Sequence, residues 1–460
     1  MLPNITKKRR GCIVAQDPRS AIDQGAMSRF QWGIVATMVG LNALDGFDVL
    51  SISFASPGIA ADWGIDRAAL GIILSMELVG MAIGSLFLGG VADRLGRRTT
   101  ILGCLGVMTI GMLGAASAAG IVTLSVWRVA TGLGIGGMLA STNAAVAEAA
   151  NAKHRALAVV LMAAGYPIGT IVGGSVSAIL LAQYDWRAVF VFGAICSALF
   201  VPLVLWRAPE SVAFLMHRRP PDALARINAT LKRMGHAPVA ALPEPELRTA
   251  AAKAPIVALF SPALLRTTIL LTLAYLAHIM TFYFILKWIP KIVVDMGFPA
   301  PQAAGVLVWA SIGGATGSLI LGLLTGRLRL LGLTIGAMLL STALVIVFGR
   351  AQSDLTGLSV VAAAAGFATN AGVVGLYALV AERFPTGARA TATGFVIGVG
   401  RGGSALAPMV AGFLFAAGYG LQAVAVLMGV GSLIAAVALF FLRGKPAVVL
   451  QEAGGGAGAA

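Results

Sequence analysis

Residues 84–95 read GSLFLGGVADRL, and 233 positions later residues 317–328 read GSLILGLLTGRL. Seven of the twelve positions are identical: Gly84/Gly317, Ser85/Ser318, Leu86/Leu319, Leu88/Leu321, Gly89/Gly322, Arg94/Arg327 and Leu95/Leu328. Each copy closes a long apolar run and breaks into a short basic loop. A repeat spaced by about half of a 460-residue chain points to two homologous bundles of apolar helices.

The composition agrees. Hydrophobic residues make up 58% of the chain and charged residues 11%, and the mean hydropathy is +0.91. A soluble domain carries about 25% charge, so a large water-soluble protein with several cores is excluded. Apolar runs of about 20 residues, the length that crosses the hydrocarbon layer, number twelve. They fall at 31–55, 68–92, 99–119, 122–147, 157–182, 188–206, 267–288, 301–325, 331–349, 355–380, 391–416 and 420–442. The expected fold is therefore all-α: an integral membrane protein of twelve transmembrane helices in two six-helix halves. We divide it into an N-terminal bundle over 1–206, a central loop over 207–266, a C-terminal bundle over 267–446 and a flexible tail over 447–460. Within the central loop, Pro221 to Gly235 reads as a short amphipathic helix, with Leu224, Ile227, Leu231 and Met234 on one face and Gly235 as its stop.

Basic residues orient the assembly. With the N-terminus in the cytoplasm, 26 of the 33 Lys and Arg fall on the cytoplasmic side, and Arg128 and Arg401 stay inside spans. The outer side receives only Arg67, Arg187, Lys287, Lys291 and Arg350. That asymmetry follows the positive-inside rule and places both termini in the cytoplasm, in a cytoplasmic (inner) membrane. The net charge of +15 thus reports topology rather than nucleic-acid binding. No small-residue cleavage site follows the first span, so no signal peptide is expected. Cys12, Cys104 and Cys196 lie far apart and form no metal or disulfide pattern, and neither metal nor cofactor is expected.

Several motifs then become legible. Gly89-x-x-x-Asp93-Arg94-x-Gly96-Arg97-Arg98 resembles the signature loop of the major facilitator superfamily, and Arg128-x-x-x-Gly132-x-Gly134-x-Gly136 resembles a second region of its proton-coupled members. Pro209-Glu210-Ser211 and Glu382-Arg383-Phe384-Pro385-Thr386 fit the same superfamily. Asp45-Gly46-Phe47-Asp48 is similar to the Asp-Gly-x-Asp signature of its aromatic acid:proton symporters. Gly165-Tyr166-Pro167-Ile168-Gly169, Arg389-Ala390-Thr391 and Gly400-Arg401 support that subfamily. The second loop departs from the pattern: Gly326 stands where Asp93 does and no Gly-Arg-Arg follows, which puts a gating role for that copy in doubt.

The intramembrane charges carry the expected mechanism. At about 1.5 Å per residue, Asp45 and Asp48 on the first span and Arg128 on the fourth reach nearly the same depth. Asp45 and Asp48 share one helix face. An adjacent arginine favours their charged form and burial opposes it, so the pair is suited to exchanging a proton. Arg401, near the midplane of the other half, is suited to gripping a carboxylate at two points. Arg128, Tyr166, His278 and Tyr377 are further substrate-site residues, with Tyr275, Tyr283 and Asn370 weaker ones and Glu77 a candidate for the proton path. Plainer readings stand beside these: helix-to-helix hydrogen bonds for the two aspartates, a structural partnership of Arg128 with Asp48 or Glu77, and a structural histidine. Gly89, Asp93, Arg94, Gly96 and Arg97 form a gating loop in which Asp93 caps a helix or pairs with Arg97. Glu148, at the cytoplasmic boundary, is expected to pair with Arg97 or Arg155 as a latch.

The resemblance implies a monomeric proton symporter that imports an aromatic carboxylic acid such as a hydroxybenzoate by alternating access. Its partners would be a small organic anion, the proton and the lipid bilayer, with no nucleic acid. A symporter of a non-aromatic acid such as muconate or a dicarboxylate is the alternative, then a proton-driven drug exporter. A membrane enzyme lacks support, since no nucleophile–base pair, metal cluster or phosphate loop is visible.

Overall fold

Helix starts and stops in this chain follow local capping chemistry. In the computed structural model, which describes residues 17–243, 256–350 and 354–442, Ser28 and Gln31 form a reciprocal capping box. Asp66 accepts from the Ala69 amide at 2.8 Å and Asp354 from the Gly357 amide at 2.8 Å. The helices of the first half are α1 Pro18–Gln24, α2 Arg29–Trp63, α3 Arg67–Leu95, α4 Arg97–Ala116, α5 Ile121–Ala149, α6 Arg155–Gln183 and α7 Arg187–Arg207. Two short helices follow, α8 Val212–Arg218 and α9 Ala223–Met234, and then a 3-10 turn over Ile256–Phe260. The second half comprises α10 Leu265–Asp295, α11 Ala300–Leu324, α12 Leu330–Phe348, α13 Leu355–Arg383, α14 Thr386–Ala416 and α15 Leu421–Phe441. Twelve of these helices are long and apolar enough to cross a membrane, and no strand occurs among the described residues. The basic segment 7–10, Cys12 and the tail 447–460 lie outside the described residues.

The duplication read from the sequence is a duplication of packing. In the first half α3 packs on α5, α2 on α6 and α7, and α4 on α5 and α7. In the second, α11 packs on α13, α10 on α14 and α15, and α12 on α13 and α15. The repeated glycines explain themselves here. A Cβ at Gly84 would lie 2.3 Å from the Leu133 carbonyl oxygen of α5, and one at Gly317 would lie 2.2 Å from the Phe367 carbonyl oxygen of α13. Both halves thus need a bare backbone at the same crossing, the small-residue packing that drives helix association in lipid.

The halves meet through α3 with α14, α6 with α11 and α2 with α10. These contacts gather at one end of the bundle. There Arg67 pairs with Asp295 at 2.9 Å and sits over the Phe415 ring. A Cβ at Gly71 would lie 3.1 Å from the Gly412 Cα. Toward the end that carries α8 and α9, here called the basic end, Gly90 of α3 and Gly394 and Gly398 of α14 face open space. From the Arg67–Asp295 and Gly71–Gly412 contacts at one end and these open glycines at the other, we read the halves as closed at the first and parted at the second.

Two expectations need correction. The apolar runs end the first span at residue 55 and the seventh at 288, whereas α2 runs to Trp63 and α10 to Asp295. Lys287 therefore does not lie at the outer surface: it is fully buried inside α10. The amphipathic helix of the central loop forms as α9, with Ile227, Leu231 and Met234 buried and Gly235 in the left-handed conformation at its end. It is fastened to the bundle by Arg233, which donates to the Trp206 carbonyl at 2.9 Å and stacks over Phe30.

Candidate functional site

The Asp45-Gly46-Phe47-Asp48 stretch is pressed against the Gly165–Gly169 stretch by backbone contact. A Cβ at Gly46 would lie 2.2 Å from the Tyr166 carbonyl oxygen, and one at Gly169 would lie 1.7 Å from that of Ala43. This close crossing of α2 and α6 turns both aspartates into the interior. Asp45 and Asp48 are buried, and none of their four carboxylate oxygens has a hydrogen-bond partner among the described residues. Asp48 faces α7 across the bare backbone of Gly193. Unpartnered carboxylates in an apolar interior are costly in their charged form.

Arg128 reaches the depth of Asp48, as its span position predicts, and its contacts are those of the plainer reading, a structural partnership with Asp48 and Glu77. Its Nη2 donates to the Asp48 backbone carbonyl at 3.0 Å, Nη1 to the Met112 sulfur at 3.1 Å, and the guanidinium lies over Phe190. Its ion-pair partner is Glu77 of α3. Glu77 is also approached from the other half, by the Lys287 ammonium at 3.4 Å, while that ammonium donates to the Val49 carbonyl. All three charged side chains are fully buried.

Arg401 of α14 lies where the closed and parted regions of the interface meet. Its Nη1 donates to the Met81 carbonyl of α3 at 3.1 Å, and no carboxylate lies within ion-pair distance among the described residues. The Tyr275 ring rests on the bare backbone of Gly400 beside it, where a Cβ would lie 2.0 Å away. The Tyr275 and Tyr377 hydroxyls are 3.0 Å apart. Tyr283 is within electrostatic reach of Arg401, and Tyr166 is within reach of both Tyr283 and Tyr377. A half-buried guanidinium thus sits among phenol rings.

His278 is elsewhere. Its Nε2 meets the Thr369 carbonyl and its Nδ1 the Ser432 hydroxyl, each at 2.8 Å, so both nitrogens are engaged in helix packing. Asn370 donates to the Gly314 carbonyl and the Ser318 hydroxyl, and likewise faces a neighbouring helix. No cluster of three or more metal-ligating side chains occurs among the described residues.

The profile of the Major Facilitator Superfamily matches residues 38–349 and, overlapping them, 306–459. The chain belongs to that superfamily. It is 31% identical to the gallate transporter of Pseudomonas putida, covering 94% of this chain and 97% of that one. It is 29% identical to the 4-hydroxybenzoate transporter PcaK of the same organism, over 92% and 94%. With the 3-(3-hydroxy-phenyl)propionate transporter of Escherichia coli it shares 30% identity over 87% and 91%. Among solved structures, the inward-open xylose transporter XylE of E. coli superposes with a TM-score of 0.70 at 17% identity, covering 92% of this chain and 99% of that one. The fold is that of the superfamily, and the protein is an integral membrane transporter.

At the basic end the superfamily loop is held by its neighbours. Arg97 pairs with Asp93 at 3.0 Å and with Glu148 at 3.2 Å, and donates to the Ala92 carbonyl. Arg155 instead takes Asp23. Asp93 does not cap α4. Glu210 of the Pro209-Glu210-Ser211 motif does, accepting from the Arg97 amide at 2.8 Å and the Arg98 amide at 3.3 Å. Gly96 joins α3 to α4 at φ 101°, and a Cβ there would lie 2.3 Å from the Glu210 carboxylate. Gly89 and Arg94 lie on the last turns of α3 leading into this loop. Arg19 of α1 donates to the Glu148 carbonyl; burial pulls its guanidinium below the ordinary range, opposed by Asp23.

The sequence places Lys287 and Glu210 without showing the burial of the first or the capping role of the second. The apolar stretch continues past Lys287 through Trp288, Ile289, Ile292 and Val293, and that continuity was the available signal. For Glu210 it was its placement immediately after the sixth span.

Proposed function

We propose that this protein imports aromatic carboxylic acids such as hydroxybenzoates, coupled to protons. In this reading it lies in a cytoplasmic membrane with both termini and the basic end inside, acting as a monomer of two halves, 1–206 and 267–446. The loop 207–266 links them, and 447–460 trails from the second. The observation that carries the reading is Arg401: a cation at the interface of the halves with no carboxylate partner among the described residues, set among tyrosines. An aromatic acid supplies what that site lacks, a carboxylate for the guanidinium and a ring for the phenols. The names of the relatives, transporters of gallate, 4-hydroxybenzoate and 3-(3-hydroxy-phenyl)propionate, support the same substrate class.

In the proposed cycle Asp45 and Asp48 take protons when the outer end is open. The anion binds to Arg401 beside Tyr166, Tyr275, Tyr283 and Tyr377, and the halves then rock to the arrangement described here, closed outside and parted inside. Inward proton movement is driven by the membrane potential, worth about 2.3 kcal/mol per charge per 100 mV. Arg128 holds the frame of the proton site through Glu77 and the Asp48 backbone rather than touching the anion. His278 serves helix packing. The Asp93–Arg97–Glu148 contacts steady the basic end during rocking.

The test is uptake of radiolabelled 4-hydroxybenzoate, gallate, gentisate, vanillate, muconate and shikimate by cells expressing the chain, with and without a protonophore. Protonophore-sensitive accumulation of the hydroxybenzoates is expected. Accumulation of muconate alone would move the substrate class to non-aromatic acids, and accumulation unchanged by the protonophore would refute proton coupling.

A further inference from the structure

Where the halves meet, one anion serves two cations. Glu77 of α3 is paired with Arg128 from its own half and with Lys287 from the other, and among the described residues no second carboxylate is bonded to either cation. The cluster therefore carries a surplus positive charge next to Asp45 and Asp48, whose oxygens have no partners. One ionised aspartate would balance it. The remaining titratable groups near the aspartates are the Cys104 thiol of α4, the Cys196 thiol of α7 and the Tyr166 phenol of α6, none a permanent charge.

Of the three clustered groups only Lys287 belongs to the second half. It lies eight residues before Asp295, about 12 Å along α10, and Asp295 pairs with Arg67 at the closed end. Its hold on the first half is the Val49 carbonyl of α2 and Glu77 of α3. Opening that end separates α10 from α2 and α3, and so removes Lys287 from the cluster.

We propose that Lys287 is a positioning residue for proton transfer, a cation carried into and out of the proton site by the rocking of the halves. With the halves closed at this end, Lys287 shares Glu77 with Arg128. Part of the Arg128 charge is then left to favour a carboxylate at Asp48 or Asp45, and a proton is released toward the parted, basic end. With that end open, Lys287 is gone, Glu77 neutralises Arg128 alone, and the aspartates take up a proton from the outer side. The inference rests on the proposed role of Asp45 and Asp48 as proton carriers. It supplies what that role lacks, a reason for proton affinity to change with access.

The test needs no substrate. Spin labels at Thr123→Cys and Tyr419→Cys, both exposed at the closed end on opposite halves, report its opening in the full-length protein, with the native cysteines replaced and the chain in lipid nanodiscs. Wild type should open at this end as pH falls. Lys287→Met should flatten that response, cutting the pH-dependent change in the open population severalfold, because without the arriving cation the aspartates hold a proton about equally in both arrangements. Glu77→Gln should move the midpoint down, since two cations then go uncompensated, and Lys287→Arg should keep it near wild type. Loss of packing alone would shift the midpoint and leave the size of the pH response intact. The inference is overturned if Lys287→Met keeps the full wild-type pH response, shifted or not, or if Glu77→Gln keeps or raises the wild-type midpoint. If Asp45→Asn with Asp48→Asn retains the wild-type pH response, or wild type has none, the proton-carrier reading falls and this inference with it.

Discussion

In the first half, the space between α2, α3 and α5 holds Asp45, Asp48, Glu77 and Arg128. In the second, the space between α10, α12, α13 and α15 holds His278, Ser341, Thr369 and Ser432. The second set closes on itself. The Thr369 carbonyl only accepts, so the hydrogen sits on Nε2 of His278. Nδ1 then accepts from Ser432, whose oxygen is 3.0 Å from that of Ser341. Every polar atom of that chain has a partner, whereas the four oxygens of Asp45 and Asp48 have none. Duplication kept the helix crossings, as Gly84 and Gly317 record, and the chemistry inside them diverged. In the proposed reading one half changes charge and the other stays as it is.

The largest effect that can break this contrast lies in the two sets of buried groups. Replacing Asp45 and Asp48 together by Asn should abolish uphill accumulation, a loss of about two orders of magnitude, while exchange of labelled for unlabelled substrate persists. His278→Gln preserves a donor and an acceptor and should leave accumulation within about threefold of wild type. Accumulation assays in cells, normalised to membrane protein, decide between them. If His278→Gln abolishes accumulation and the aspartate double variant does not, the assignment of halves is reversed.

Arg401 sharpens the contrast because it is the second half's only charge at the interface that lacks an ionic partner among the described residues. Arg401→Ala should weaken binding of a hydroxybenzoate by about 100-fold, in line with a charge-assisted pair worth roughly 1.5–3 kcal/mol. Arg401→Lys keeps the charge without the planar grip and should lose about tenfold. Calorimetric binding of the acid and its neutral amide checks this: the amide should lose far less. Equal losses for both ligands would make Arg401 a packing residue.

How much of this was legible depends on what each residue needed. The twelve spans follow from apolar length, and the depth of Arg128 relative to Asp48 follows from helical rise. The partner of Arg128 does not, because a rise gives height and leaves the angle around the helix open; the guanidinium meets the Asp48 backbone and the Glu77 carboxylate. Lys287 falls at the outer rim when the seventh span ends at 288, and its partners Glu77 and Val49 come from the other half of the chain. The Met81 carbonyl below Arg401 is likewise 320 residues away in sequence. Within one half the sequence narrowed Arg128 to two candidate partners, Asp48 and Glu77, whereas the contacts between halves had no such signal.

The loops give the next comparison and a smaller effect. Asp93 pairs with Arg97, but its side chain is 74% exposed, and Arg97 keeps Glu148 and the Ala92 carbonyl without it. Exposed pairs contribute about 1 kcal/mol at most. Asp93→Asn should therefore lower the maximal uptake rate about two- to fivefold with KM unchanged. A raised KM at constant maximal rate would place Asp93 on the substrate's route instead.

The smallest effect comes from trying to rebuild that loop in the second half. Gly326 occupies the place of Asp93 and Leu330 that of Arg97, while Glu382 falls close to the place of Glu148 by the offset that pairs Leu133 with Phe367. The far carboxylate is thus retained, and the near acid and the cation that would join them are missing. A side chain fits at 326, where the nearest atom to an added Cβ is 3.6 Å away and φ is not in the left-handed region. Gly326→Asp alone finds Leu330 at the place of Arg97 and only Arg329 nearby in the turn, an exposed pair worth about 0.2–1 kcal/mol at most, so uptake should change by less than about twofold. Adding Leu330→Arg supplies a cation that can reach both Asp at 326 and Glu382, and should change the maximal rate by about as much as Asp93→Asn does. If the single substitution already alters the rate severalfold, the second loop has a gating contact of its own, and the two loops are less different than their sequences suggest.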